Sequence, residues 1–436
     1  MEIKEGTNLT SSENLRTSLS SSVIGELQSN LSNSSSSRVS NKTRSSGKST
    51  RLVSTSLTTE QIQAVSDAAT QAVSDADLGD SVDLIALLPK IIEGAQGSLK
   101  NLGLSSSETI KVVQVVVFSM TQSLNGRSDN LLSSSADSGA TPLETAISKV
   151  AKTSIGQLDE AGLSASDVAS ASSSLVGTMV GSLDDGGLKA ADLSGAVEKI
   201  TSGATSALSD VSGVSVGDLS SVIEGITSGA TGALDDISVE GYDSSQLSTM
   251  VEKVTAGSTS ALGDIQISGF SADNLTSMVE KVTSGATKAL GNISMSGYDS
   301  GDLSGMMEKV TAGATKSLGK IKMTGYDSSK LTSMVEKITA GATSALGEIS
   351  MDGFSADNLT SMVEKVTSGA TEALGEISMD GFSADNLTAM VEKVSSGATG
   401  ALGRIQMTGY DSSKLSSMVE KITSGSTKAL GKIKMS

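Results

Sequence analysis

The 436 residues include no cysteine, no histidine and no tryptophan, only two prolines, and eight phenylalanines and tyrosines together. Each absence removes a class of protein. Without cysteine there is no disulfide, no thiolate nucleophile, no thiolate metal site and no anchorage through a lipidated cysteine. Without histidine a serine nucleophile lacks its usual base, and the commonest metal ligand is gone. With 2% aromatics the chain cannot build an ordinary aromatic-rich core. Long apolar runs are missing too. The longest candidate, Ile110 to Met120, falls short of the ~20 residues that span a bilayer. The opening Met1-Glu2-Ile3-Lys4-Glu5 has no apolar stretch of signal-peptide kind. These absences argue for a non-enzymatic chain with no cofactor, no metal site and no transmembrane segment. The compartment is left between secreted or cell-surface and cytoplasmic.

Acid is in excess, with a net charge of −17 that is concentrated between residues 58 and 240. Such acidity favours solubility and argues against nucleic-acid binding. Residues 1–57 are serine- and asparagine-rich, with a basic cluster at Arg38, Lys42, Arg44, Lys48 and Arg51, and read as a disordered tail. Residues 58–186 read as an irregular all-helical cap and lead-in, in which blocks beginning near Ser81, Ser105, Thr141 and Ser164, like the block near Lys189 just beyond, are worn versions of one helix. Pro89 should kink its helix or mark a first turn. Residues 187–240 are transitional. Residues 241–436 are seven copies of a 28-residue unit, opened by Gly241, Gly269, Gly297, Gly325, Gly353, Gly381 and Gly409. A fixed period of this length marks a solenoid or array.

Within one unit, Leu275, Met278, Val279, Val282, Ala286, Ala289 and Leu290 lie on one face of a helix. Ser271, or Asp243 with Gln246 in the preceding unit, is placed to cap its start. Gly291 is placed to stop it in the left-handed conformation. Gly285, recurring mid-helix, leaves room for a neighbouring helix. Beyond Gly291, Ile293 and Met295 alternate with polar residues as in a short strand. The expected fold is therefore an α/β repeat solenoid, one amphipathic helix and one short parallel strand per unit, curved, with the strands on the inner side. The alternative is an all-α antiparallel helical array, which should show a 56-residue super-period in its sequence. The unit openings show none. In unit length and plan the chain resembles leucine-rich repeats, but their L-x-x-L-x-L-x-x-N/C-x-L pattern is absent.

Catalytic candidates are few. The adjacent Glu280 and Lys281 should point to solvent, Asp299 and Asp302 suit a helix start, and Asp352 and Asp380 lie outside any calcium-loop series. Gly313-Ala314-Thr315-Lys316-Ser317 lacks the first glycine of a phosphate loop. The units differ mainly on the expected strand face, at Asp264, Gln266, Asn292, Lys320, Lys322, Glu348, Asp352, Glu376, Asp380, Arg404, Gln406, Lys432 and Lys434. These are the candidate partner-binding residues of a non-enzymatic scaffold for a protein or polysaccharide. The rival function is a self-assembling fibre or surface-structure subunit, joined end to end through the last unit.

Overall fold

The computed structural model describes residues 81–100, 104–125, 141–184, 188–237, 242–293, 299–322, 327–349, 355–377, 383–405 and 411–433. Among them are thirteen α-helices and no strand. They are α1 (Ser81–Leu99), α2 (Ser106–Asn125), α3 (Pro142–Gly156), α4 (Ala165–Gly181), α5 (Ala190–Ser206), α6 (Val216–Gly232), α7 (Ser244–Ala261), α8 (Ala272–Leu290), α9 (Ser300–Leu318), α10 (Ser328–Leu346), α11 (Ala356–Leu374), α12 (Ala384–Leu402) and α13 (Ser412–Leu430).

Helix starts follow the expected chemistry. Asp243 accepts from the backbone N–H groups of Ser245 and Gln246, a one-sided cap. A reciprocal box forms in α12, where the Asn386 N–H donates to Ser383 Oγ at 3.3 Å and the Ser383 N–H to Asn386 Oδ1 at 2.9 Å. Thr141 and Glu144 make the same box before Pro142, the first residue of α3. Pro89 lies inside α1.

The expected strand is overturned at the other end of the helix. Gly291 does follow the last residue of α8, as expected, but it is right-handed, φ −69° and ψ −11°, so the chain goes on into a tighter turn instead of reversing. Consecutive N–H groups of Gly291, Asn292 and Ile293 each donate three residues back, to Lys288, Ala289 and Leu290. From Ala272 to Ile293 the chain therefore climbs ~31 Å. The seven steps left before Ser300 reach at most ~23 Å even if fully extended. A parallel return is out of reach, and the helices form a repeated antiparallel-like array.

Each helix has its broadest contact with the helix two places along and a narrow one with its immediate neighbour. Contacts at every height show that helices n and n+2 run parallel and in register. Asn358 Nδ2 donates to Ser300 Oγ at 2.8 Å near the starts of α11 and α9. Lys281 meets Glu224 at 2.6 Å midway along α8 and α6. Past the ends, Ile349 covers Gly291. Odd and even helices thus form two layers, and one turn of the array takes 56 residues. The lead-in belongs to the same stacks: buried Gln96 of α1 donates to Ser154 O of α3 at 2.9 Å, and buried Asn125 of α2 to Ser182 O just after α4 at 2.8 Å. One continuous core of Leu, Ile, Val, Met and Ala runs from Leu88 to Ile422.

Candidate functional site

The repeated polar residues converge on the n to n+2 contact. Seven successive helices, α7 to α13, send a lysine back to the glutamate two helices earlier: Lys253–Glu198, Lys281–Glu224, Lys309–Glu252, Lys337–Glu280, Lys365–Glu308, Lys393–Glu336 and Lys421–Glu364, at 2.6 to 2.9 Å. Adjacent opposite charges such as Glu280 and Lys281 are expected to point to solvent. They instead belong to two interleaved ladders, in which Glu280 receives Lys337 while Lys281 reaches Glu224.

Glycine and threonine complete the contact. A Cβ on Gly285 would lie 2.7 Å from the Glu224 carbonyl oxygen and closer still to Thr227 Oγ1, and Gly257, Gly313, Gly341, Gly369, Gly397 and Gly425 are as tightly placed. The glycine does make room for a neighbouring helix, as expected, but that helix is the second along. The buried threonine beneath turns its hydroxyl inward: Thr227 Oγ1 lies 3.0 Å from Ile223 O and 3.1 Å from Glu224 O. In two helices it also faces across the stack, Thr283 Oγ1 standing 3.2 Å from Ile338 O and Thr311 Oγ1 3.1 Å from Val366 O.

Burial alone would raise the Glu224 pKa, but the ammonium groups of Lys281 and Lys288 outweigh it and hold the carboxyl below its ordinary 4.5. Glu364, between Lys421 and Lys428, behaves alike. A carboxyl whose folded pKa is depressed stabilises fully above the unfolded value and loses that contribution as pH falls through the folded value. Urea midpoints should therefore drop on acidification below about pH 4.5, and the E224Q/E364Q variant should show a shallower drop than the parent.

The candidate partner-binding residues lie in or just after the turns that follow the helices. Asp264, Gln266, Asn292, Lys320, Lys322, Glu348, Glu376, Arg404 and Lys432 are all exposed, and the structure brings them into rows along the two layers rather than onto one sheet. Asp352, Asp380, Gln406 and Lys434 lie outside the described residues, as do Met295 and the aromatic positions 298, 326, 354, 382 and 410. Several described ones are engaged within the chain. Glu348 pairs with Lys288 at 3.0 Å, Glu376 with Lys316, Lys432 with Glu372 at 3.0 Å, and Arg404 approaches Glu280 at 3.9 Å. The first three join residues 60 positions apart, and where the helix supplies glutamate instead of lysine the later turn supplies lysine instead of glutamate. The Gln266 N–H donates to Ser209 Oγ at 2.9 Å, joining turns of α7 and α5 in the same way. The variation between units was visible in the sequence. The matching of signs needed the 60-residue offset, which a 28-residue reading does not suggest.

Sign matching makes a direct prediction. Glu376→Lys should lower stability by roughly 0.5 kcal/mol, as expected for a partly screened pair, and Lys316→Glu in the same chain should restore it. A urea titration of the parent, the two single variants and the double variant reads the coupling.

A cleft of about 380 Å³ opens across α3, α5 and α7, lined by Thr141, Glu144, Asp192, Glu198, Lys199 and Lys253. Its polar groups are largely committed, Glu144 to the cap of α3 and Glu198 to Lys253. Among the described residues no group of three or more His, Cys, Asp or Glu is placed to hold a metal ion, and no helix is long and apolar enough to cross a membrane.

Fold and ladders together define an all-helical repeat array, solenoid-like, stacked two units at a time. No protein-family model matches the chain, and no curated protein does. Among solved structures, one titled a crystal structure of an engineered protein aligns over 85% of this chain and 92% of its own length at 13% identity. The TM-score is 0.14, which carries no argument about fold or function.

Proposed function

We propose that the chain is a non-enzymatic repeat scaffold that carries a protein or polysaccharide partner on the turns following its helices. The observation behind this reading is a division among the turn charges. Glu348, Glu376 and Lys432 are matched inside the chain, whereas Lys320 and Lys322 are exposed and pair with no carboxylate among the described residues. Two exposed lysines, two residues apart and outside the ladder pairs, suit a partner bearing acidic groups. The full chain, immobilised, would be tested against a panel of soluble proteins and polysaccharides. K320Q/K322Q should lose the bound partner, while E348Q/E376Q should keep it and unfold at lower urea. Retention by K320Q/K322Q of everything the parent binds would rule the reading out.

A second reading, a self-assembling structural subunit, is favoured by α13. Its Leu415, Val419 and Leu430 are the exposed large hydrophobic residues among those described.

A further inference from the structure

The cleft across α3, α5 and α7 sits where the lysine–glutamate ladder lacks a rung. A Cβ on Gly203 would strike the Ser148 carbonyl oxygen, as one on Gly257 would strike that of Glu198. Ser148 of α3 therefore holds the place of Glu198, and Lys199, four residues before Gly203, holds the place of Lys253. Lys253 meets Glu198 at 2.6 Å, whereas serine offers Lys199 no carboxylate. Lys199 is half-buried, lines the cleft and forms no ion pair among the described residues.

The opposite charge gathers toward the helix starts. Asp192, in the first turn of α5, also lines the cleft, and its carboxylate has no partner among the described residues. Glu144 of α3 lies against Gly195, where a Cβ would collide with its Oε1. Its Oε2 accepts from the Thr141 N–H at 2.8 Å, which leaves Oε1 for a second donor. Asp192 and Lys199 are seven residues apart, which places them ~10 Å from one another along one face of α5. Leu143 and Ala196 supply the apolar part of the lining.

A site that is negative at one end and positive at the other, with groups at both ends lacking partners, fits a ligand that carries an ammonium and a carboxylate. At about 380 Å³ the cleft is at the small end of the ~300–1,000 Å³ that small-molecule sites occupy. The Lys199 side chain leans toward the helix start and shortens the ~10 Å gap, and what is left is spanned by about two to three extended residues at ~3.3 Å each. A single amino acid, with its two charges on neighbouring atoms, is too short. We propose that this cleft binds a short peptide with both ends free, its ammonium between Asp192 and Glu144 and its carboxylate on Lys199. The site is distinct from Lys320 and Lys322 in the turn after α9.

Isothermal titration calorimetry of the full chain with dialanine and with trialanine tests this, with circular dichroism and the urea midpoint confirming that each variant keeps its fold. At least one of the two peptides should bind saturably, one per chain. Acetylating its amine or amidating its carboxylate should each weaken binding about tenfold, as for the loss of one hydrogen bond to a charged group. K199Q should weaken the free peptide about as much as amidation does and leave the amidated peptide unaffected, and D192N should stand in the same relation to acetylation. K320Q/K322Q should bind the peptide as the parent does, whether or not it loses a partner of the turns. Failure of both peptides to bind the parent chain overturns the proposal, and so does binding that either K199Q or D192N leaves unchanged.

Discussion

Replacing Gly341 with alanine will destabilise the array by about 2 kcal/mol, although helix propensity alone gives alanine an advantage of up to ~1 kcal/mol. A Cβ at this site would lie 2.7 Å from Thr283 Oγ1, 3.1 Å from Glu280 Cγ, and against the Glu280 carbonyl. Thr283 is fully buried and the carbonyl belongs to a helix backbone, so neither can withdraw without moving α8. The matched control is Gly305, inside α9, where an added Cβ meets nothing within 4 Å. Gly305→Ala should stabilise by up to ~1 kcal/mol. Opposite shifts of the urea midpoint in the two variants are the expected result. Stabilisation by Gly341→Ala would mean that α8 and α10 are not in close contact.

Truncating Leu331 to alanine is expected to cost about 3 kcal/mol, and the same change at Leu415 under ~1 kcal/mol. The two leucines hold the same place in their helices, three residues after the first. Leu331 is 0% exposed beneath later helices, and Leu415 is 38% exposed. Sequence context is nearly constant, Ser-Ser-Lys-Leu in both, so the difference isolates burial from local propensity. Urea unfolding at low protein concentration, where copies are apart, gives the comparison. Equal losses at the two sites would show that α13 is covered in the isolated chain.

Much of the helix architecture was legible in the residues. The 3.6-residue apolar stripe gives each helix, Ser271 and Asp243 mark starts, and the blocks at Ser81, Thr141, Ser164 and Lys189 fall within a residue of observed helix starts. Mid-helix glycine was rightly read as a close approach. The error began at Gly291. A glycine just after the last helical leucine suggested a left-handed stop; the helix does end there, but the glycine is right-handed and is small because Ile349 packs over it, a Cβ there meeting Ile349 Cγ1 at 3.1 Å. Ile293, the described half of the Ile-x-Met alternation that resembles a strand, is 5% exposed and donates its N–H three residues back to Leu290, and no strand lies among the described residues. A buried isoleucine after a glycine does not distinguish the two.

The missing 56-residue super-period misled for a physical reason. Odd and even helices use one contact set, Lys and Gly above, Glu and Thr below, and each layer repeats it independently. The chemistry of the unit therefore recurs every 28 residues although the geometry closes every 56. Only paired substitutions carry the longer period. Lys330 pairs with Asp273 and Lys414 with Asp357, each joining units two apart. The candidate site suffered from the same gap, since Glu348, Glu376 and Lys432 vary to match residues 60 earlier in their own chain.

Everything turns on which helices are neighbours, and a chain without cysteine lets that be measured by placing two spin labels at will. One pair goes on cysteines at Asp273 and Lys330, which are in contact across α8 and α10. The other goes at Asp302 and Lys330, near the starts of the adjacent helices α9 and α10. Stacking of n on n+2 predicts a shorter distance for the 273–330 pair than for the 302–330 pair. A shorter distance for 302–330, with 273–330 about twice as long, would place successive helices side by side and contradict the account.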